Sequence, residues 1–416
     1  MTILFLVKFY QPFDRGGSEW STRDLAKLLK EKGHEVTILT PNYGSVSQEL
    51  VEGINLRRIP FPIKLASPKS QIAPFWTNNL IWFLYSSIYI IYFFLKHNFD
   101  IIHVHSNEFL PAAYAAKIFL RKPTVATFRD YQSLCSLGFC LWEKKHACNL
   151  ASFIKDEYPF FYKNYVQNKN IINYVVLFAA AIRAQALQKI IYTFAKRVDS
   201  KVAVSQKVAD IFKHNGIKDI KVIHNPVLVE YKVSPKSSNQ ITYVGKFSKG
   251  KGAELLPQLL LSLSKSLKEA KYKLIGSGYL EKKIKSFITR NKLSSKVKIT
   301  GQLSHKRTLA EINKSALVIV PSLWQEPLPR SVIETLENGV PVVATKVGGI
   351  PEIVADGKYG ILTSTDTESF KKAVIRCYED KNRFKNNIIQ DLEKIKDRFS
   401  KKVVKRYLKV YQNLLI

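Results

Sequence analysis

Acidic residues and cysteines are both scarce in this chain, and each shortage closes off a class of proteins. Only 33 Asp and Glu stand against 65 Lys and Arg in 416 residues, a formal net charge of +32. Such an excess attracts polyanions: nucleic acid, an anionic membrane or phosphorylated small molecules. No RNP-type aromatic strand, zinc-finger spacing or DNA-reading helix accompanies the charge, so no nucleic-acid partner is expected. The four cysteines, Cys135, Cys140, Cys148 and Cys377, are too few for the disulfide framework of a secreted chain and point to a reducing compartment. Gaps of four and seven residues separate the first three. These gaps match no zinc pattern and contain no CxxC, which favours structural thiols over a metal or redox centre.

One uncharged apolar run stands out, and it falls short of the roughly 20 residues that span a bilayer. This run is Leu80–Leu95, of sixteen residues. It has three readings: a buried connecting helix, an interfacial membrane helix, or a short transmembrane span. Its length and its tyrosines favour the first two. The opening Met1–Val7 is short and lacks a basic start, so it reads as a buried strand rather than a signal peptide.

What the chain does contain is alternation. Its length implies two domains of about 200 residues each. Apolar strands at Ile3–Val7, Glu35–Thr40, Asp100–His105, Thr124–Phe128, Lys201–Ser205 and Lys221–His224 alternate with helical patterns at Glu19–Lys32 and Phe109–Leu120. After Pro226 and a polar Ser234–Gln240 linker, a second series begins: Ile241–Gly245, Lys271–Gly276, Val297–Gly301, Leu317–Val320 and Val340–Ala344. Strands alternating with helices predict parallel, doubly wound sheets. Lys401–Ile416 reads as an amphipathic helix with Val404, Leu408, Tyr411 and Leu415 on one face.

The groups suited to chemistry gather at predicted strand ends. Glu326 and Glu334 bracket a helix start, with Pro329 at its first turn and Gly339 at its C-terminal cap. Glu326 falls in the loop above a strand's carboxyl end, where ligands bind in open α/β sheets. Gly245–Gly252 brings glycines and Lys246, Lys249 and Lys251 to another strand end, suited to phosphate but lacking the spacing of a Walker loop. Asp14–Glu19 carries Gly16 and Gly17 ahead of a helix, an open amide turn. Arg129 ends a strand and suits a phosphate, a carboxylate or a sugar hydroxyl; a structural pairing with Asp130 is the alternative. His103 and His105 share one side of a strand without an evident third metal ligand. Gly276–Gly278, Ile299–Leu303 and Gly348–Glu352 are further turns at strand ends.

Pro321–Glu334 followed by Asn338–Thr345 resembles the E-x7-E region of glycosyltransferase family 4, the retaining nucleotide-sugar transferases of GT-B fold. The resemblance covers most of the chain, strongly over 198–365 and more loosely over 1–45 and 100–150. It implies two facing doubly wound Rossmann-like domains with an interdomain cleft. Their bounds would be 1–226 for acceptor binding, 227–240 as linker, 241–398 for the nucleotide sugar, and 399–416 as a helix packing back on the first domain. It places Glu326 and the backbone after it, through Leu328, Arg330 and Ser331, on the donor sugar, and Glu334 on the ribose. Lys246 and Lys251 fall where an Arg and a Lys neutralise the diphosphate, and Gly301 where the backbone holds the base. Gly16 and Gly17 fall beside the donor phosphate and acceptor. The chain departs from the family in Pro327, Leu328 and Pro329 where a Gly-bearing loop is common, in Lys246 for Arg, and in Arg129 for His. The implied reaction is retaining, metal-independent transfer to a glycan or lipid-linked acceptor, with no cofactor beyond the donor. The basic surface and the aromatic Leu80–Leu95 segment point to a cytoplasmic setting, peripherally on the inner face of an anionic membrane, where nucleotide sugars are available. The alternatives are a nucleotide-sugar epimerase of the same fold and a non-catalytic membrane- or polyanion-binding scaffold.

Overall fold

A computed structural model describes residues 1–14, 16–67, 70, 72–138, 149–166, 169–229 and 238–416. Arg15, Cys140, Cys148 and 234–237 of the expected linker lie outside the described residues. The described chain forms two compact units, residues 1–226 with 400–416, and residues 227–399.

In the first unit eight strands form one sheet: β1 (Thr2–Leu6), β2 (Glu35–Pro41), β3 (Gln48–Val51), β4 (Ile54–Ile59), β5 (Ile101–Val104), β6 (Thr124–Phe128), β7 (Ser200–Ala203) and β8 (Ile220–Val222). Their order is β3-β4-β2-β1-β5-β6-β7-β8, parallel throughout except for the β3–β4 hairpin. β5 and β6 are buried at every position, as strands covered on both faces must be. The hairpin turns on Glu52 (φ 51°) and Gly53 (φ 74°), the pair of positive φ values that a tight right-twisted hairpin needs.

The aromatic helix forms over Leu80–Lys96, with the Asn79 side chain accepting from the Trp82 amide at 2.7 Å. Trp82, Phe83, Ser86, Ile90 and Phe93 face inward, while Ile81, Leu84, Tyr85, Ile88, Tyr92 and Leu95 face outward. The whole-helix burial considered from sequence therefore holds for one face only. A second apolar helix, Ile171–Arg197, escaped the sequence reading. Among the described residues it is the one helix long and apolar enough, by length and composition, to cross a membrane. Ala181, Gln185, Gln188, Ile191 and Ala195 pack it onto its unit.

The last helix, Lys401–Leu415, belongs to the first unit and buries Val403, Val404, Tyr407, Val410 and Tyr411. Its inward face is rotated from the one read in sequence, for Leu408 is half-buried and Leu415 exposed. Two hydroxyls set the rotation: Tyr411 meets His103 Nδ1 at 2.7 Å, and Tyr407 meets Thr127 at 3.0 Å.

The second unit has six parallel strands: β9 (Gln240–Val244), β10 (Lys271–Ile275), β11 (Val297–Gly301), β12 (Leu317–Val320), β13 (Val342–Thr345) and β14 (Gly360–Thr363). Ile241, Leu260, Leu274, Leu317 and Val343 lie in its core. The order is β11-β10-β9-β12-β13-β14. From β9 the chain winds outward through β10 and β11, then returns to the other side of β9 with β12. Beyond the loops that leave β9 and β12 the chain therefore runs to opposite edges of the sheet, a switch point at whose strand ends open α/β sheets bind ligands in a crevice.

Candidate functional site

Those two loops carry Lys251 and Glu326, and they are packed together by backbone. The Leu323 amide donates to the Gly250 carbonyl at 2.9 Å. Gly252 (φ 68°) lies so close to the facing strand end that a Cβ there would sit 1.7 Å from the Pro321 carbonyl oxygen. Only glycine permits this approach. It brings Lys251 Nζ to 2.6 and 2.8 Å from the two oxygens of Glu326, and to 5.3 Å from the Trp324 ring centre. Ser322 Oγ donates to Glu326 Oε1 at 2.7 Å, and Thr345 Oγ1 donates to the Ser322 carbonyl at 2.5 Å. Glu326 is 3% exposed, a buried charge held by a cation and a hydroxyl.

The Glu326 backbone is pinned as well. Its carbonyl accepts from the Gly349 amide at 2.7 Å, and a Cβ on Gly348 (φ 57°) would lie 2.0 Å from the same oxygen. The turn after β13 thus fixes the position of the acid that follows β12.

Glu334 sits on the helix Arg330–Glu337, which starts after Pro329. Its Oε1 meets Arg330 Nε at 2.5 Å and His305 Nε2 at 2.7 Å; Oε2 takes no hydrogen bond from the described residues. Burial works against ionisation, but the His305 hydrogen bond and the Arg330 charge outweigh it and hold the carboxyl below the ordinary glutamate value. His305 opens the helix His305–Asn313, capped by Ser304.

The other predicted residues of this unit surround these two acids. Lys246 is exposed on the β9 loop, its carbonyl accepting from Tyr243 OH at 3.0 Å. Gly301 (φ 71°) ends β11, and a Cβ there would meet nothing within 4 Å, so its backbone faces open space. Leu328 and Arg330 are buried and Ser331 is half-buried.

In the first unit Gly16 precedes the helix Gly17–Glu31, and Trp20 Nε1 donates to Asp14 at 2.6 Å. Arg129 ends β6, buried, donating through Nε to Asn225 at 3.0 Å and through one terminal nitrogen to Thr22 and His105 Nδ1, both at 2.7 Å. Arginine only donates, so His105 accepts at Nδ1 and carries its proton on Nε2. Burial first pushes both His103 and His105 well below the usual histidine value, followed at His103 by the Arg129 charge and at His105 by His103 and then Arg129. Among the described residues no group of three His, Cys, Asp or Glu gathers as a metal site.

Sequence reasoning missed Ser322 and His305. Ser322 has no signal beyond its place after a strand. His305 follows a capping serine, a hint of a helix start but not of its contact with Glu334.

Comparison with known proteins agrees with this architecture. A family model described as Glycosyltransferase Family 4 matches residues 15–231, and one described as Glycosyl transferases group 1 matches 229–394. The chain belongs to the glycosyltransferases of GT-B fold. It is similar, at 25% identity over 96% of its length and 95% of the relative's, to an uncharacterized glycosyltransferase of Methanocaldococcus jannaschii. It is 22% identical to the 2-deoxystreptamine N-acetyl-D-glucosaminyltransferase of Niallia circulans, covering 83% of this chain and 84% of the relative. Among solved structures, Anabaena HepE in complex with UDP and with UDP-glucose aligns over 100% of both chains, with a TM-score of 0.69 and 20% identity.

Proposed function

We propose that this glycosyltransferase moves a sugar, with retention of configuration and without a metal ion, from a nucleoside-diphosphate sugar to a glycan or lipid-linked acceptor at the cytosolic face of a membrane. Uridine is the base to try first, because the similar Anabaena structure holds UDP. The observation that carries the reading is the Lys251–Glu326 pair at the β9/β12 crevice, with Glu334 keeping one oxygen for a hydroxyl.

Departure of a nucleoside diphosphate builds negative charge, and positioned cations stabilise it. Lys251 and the exposed Lys246 supply that charge in place of a divalent ion. Glu326 keeps Lys251 in position, and its remaining lone pairs accept a donor-sugar hydroxyl, since a carboxylate has about four acceptor sites. Glu334 Oε2 accepts from the ribose. The N-terminal end of the helix Arg330–Glu337, with Ser331 in its first turn, adds partial positive charge, and the open backbone at Gly301 receives the base. Gly16, Gly17 and Arg129 serve the acceptor side. The donor is the only small molecule this chemistry calls for.

Thermal shift with a panel of UDP-, GDP- and dTDP-sugars tests the reading, run beside Lys251→Ala and Glu334→Gln. Stabilisation by one nucleotide family, absent from both variants, is expected. An undiminished shift in Lys251→Ala would remove the basis of the assignment. The anomeric configuration of the product, read by NMR, tests retention.

A further inference from the structure

We propose that the first unit docks on an anionic phospholipid leaflet through one surface built by the helices Leu80–Lys96 and Ile171–Arg197, without crossing it. The inference rests on the membrane part of the preceding reading and gives it a place on the molecule.

Each helix presents an unbroken apolar stripe to solvent. On the first, outward positions recur every three or four residues along its full length, from Ile81 (82% exposed) to Leu95 (76%), with no charge until Lys96. On the second, Ile171, Ile172, Val175 and Val176 are exposed, Ala179 and Ala180 continue the same face, and Arg183 ends it. Soluble proteins rarely leave contiguous patches of this kind uncovered. The two helices flank the helix Leu110–Leu120, which packs against both. They are also linked at their edge, where Arg183 stacks 5.6 Å from the ring centre of Phe75, just ahead of the first helix.

Charge selects what covers this face. Residues 150–197 carry seven basic side chains (Lys155, Lys163, Lys169, Arg183, Lys189, Lys196 and Arg197) against Asp156 and Glu157, and Leu80–Lys96 carries no acid. Glu157 is buried and Asp156 half-buried. A two-fold contact with a second copy would set this patch against itself, lysine facing lysine. An anionic leaflet presents the opposite charge, and Trp76, Tyr85 and Tyr92 supply the ring-and-polar-tip chemistry that settles at a headgroup layer. Neither helix is free to cross: Leu80–Lys96 is packed along one face, and Ile171–Arg197 is buried at intervals from Ala181 to Ala195.

The test is flotation of the full chain with vesicles of phosphatidylcholine, alone or mixed with phosphatidylglycerol. Binding to the mixed vesicles is expected, with a residue of binding that high salt does not remove. Ile81→Asp with Ile88→Asp, and separately Ile172→Asp with Val176→Asp, should each weaken it by about tenfold or more. Circular dichroism melts confirm folding; if aspartate unfolds a variant, serine at the same positions repeats the test. Lys251→Ala should bind vesicles as the parent does, so failure of the donor assignment and failure of this surface are read separately. The proposal is overturned by binding that survives both pairs of substitutions, by binding that salt abolishes entirely, or by a concentration-dependent dimer that the same substitutions dissolve.

Discussion

Glu326 and Glu334 have seven residues between them and are equally buried, each 3% exposed, yet they are held in opposite ways. Both oxygens of Glu326 are committed to one ammonium group from a loop 75 positions earlier in the chain. Glu334 is held through one oxygen only, by Arg330 one turn earlier on its own helix and by His305 from the neighbouring one. Burial alone does not separate the two roles. The distribution of partners over the two oxygens does. A carboxylate with both oxygens on one cation fixes that cation and offers a ligand only its remaining lone pairs, whereas one anchored through a single oxygen presents the other whole.

The contrast breaks or stands on substitutions that strike each acid's partners. Lys251→Ala removes the charge that Glu326 holds, and kcat should fall by about 10²–10³ in steady-state assays of sugar transfer. The same variant leaves a buried carboxylate without its cation and should cost about 2 kcal/mol in a denaturant melt, reduced from the fully buried case by the exposure of Lys251. Retained turnover would mean that Glu326, not the lysine, is the group that matters. Glu334→Gln removes a charged acceptor and should weaken donor binding by about 10–100-fold in calorimetry while kcat changes little. A fall in kcat equal to the loss of affinity would erase the distinction between the two acids.

Smaller effects sharpen the comparison. His305→Ala leaves Arg330 on the same oxygen, so donor affinity should drop by only about fivefold. The folded carboxyl of Glu334 titrates below its ordinary value of 4.5. The stability it contributes is therefore complete above 4.5 and is lost as pH falls through the lower folded value. The melting-temperature gap between the parent and Glu334→Gln should stay constant from neutral pH down to about 4.5 and narrow below it. The first unit should weaken sooner. His103 and His105 are held neutral well below 6.5, so its stability is full above 6.5 and declines as the unfolded chain gains protons below it. Melts of a His103→Asn, His105→Asn double variant should show a flatter acid slope.

Most of the parallel strands were legible because each is a short apolar run ending in glycine or a polar turn; β4, broken by Asn55, Arg57 and Arg58, and the four-residue β14 were not among those read. The E-x7-E block was legible because its acids flank a Pro-led helix start. Other features left little trace. The β3–β4 hairpin turns on Glu52-Gly53, without the asparagine or aspartate that marks such turns in sequence. Ile171–Arg197 is apolar on more than one face, so no amphipathic period announces it. Ser322 and His305 act through contacts set by tertiary packing, which spacing along the chain does not encode. The last helix was recognised, but hydrogen bonds from Tyr407 and Tyr411 chose its face in place of the leucine pattern.

The way the first unit is completed also orders events in time. His103 and Tyr411 are 308 positions apart, and their hydrogen bond joins strand β5 to a helix made only after the whole second unit. A ribosome finishes most of this unit, then all of residues 227–399, before it releases the segment that covers His103 and Thr127. Until then two buried-type polar groups and the apolar surface around them wait unsealed, a state that invites chaperones. A stop codon anywhere before Ser400 would therefore spoil a domain whose own sequence had been read hundreds of codons earlier.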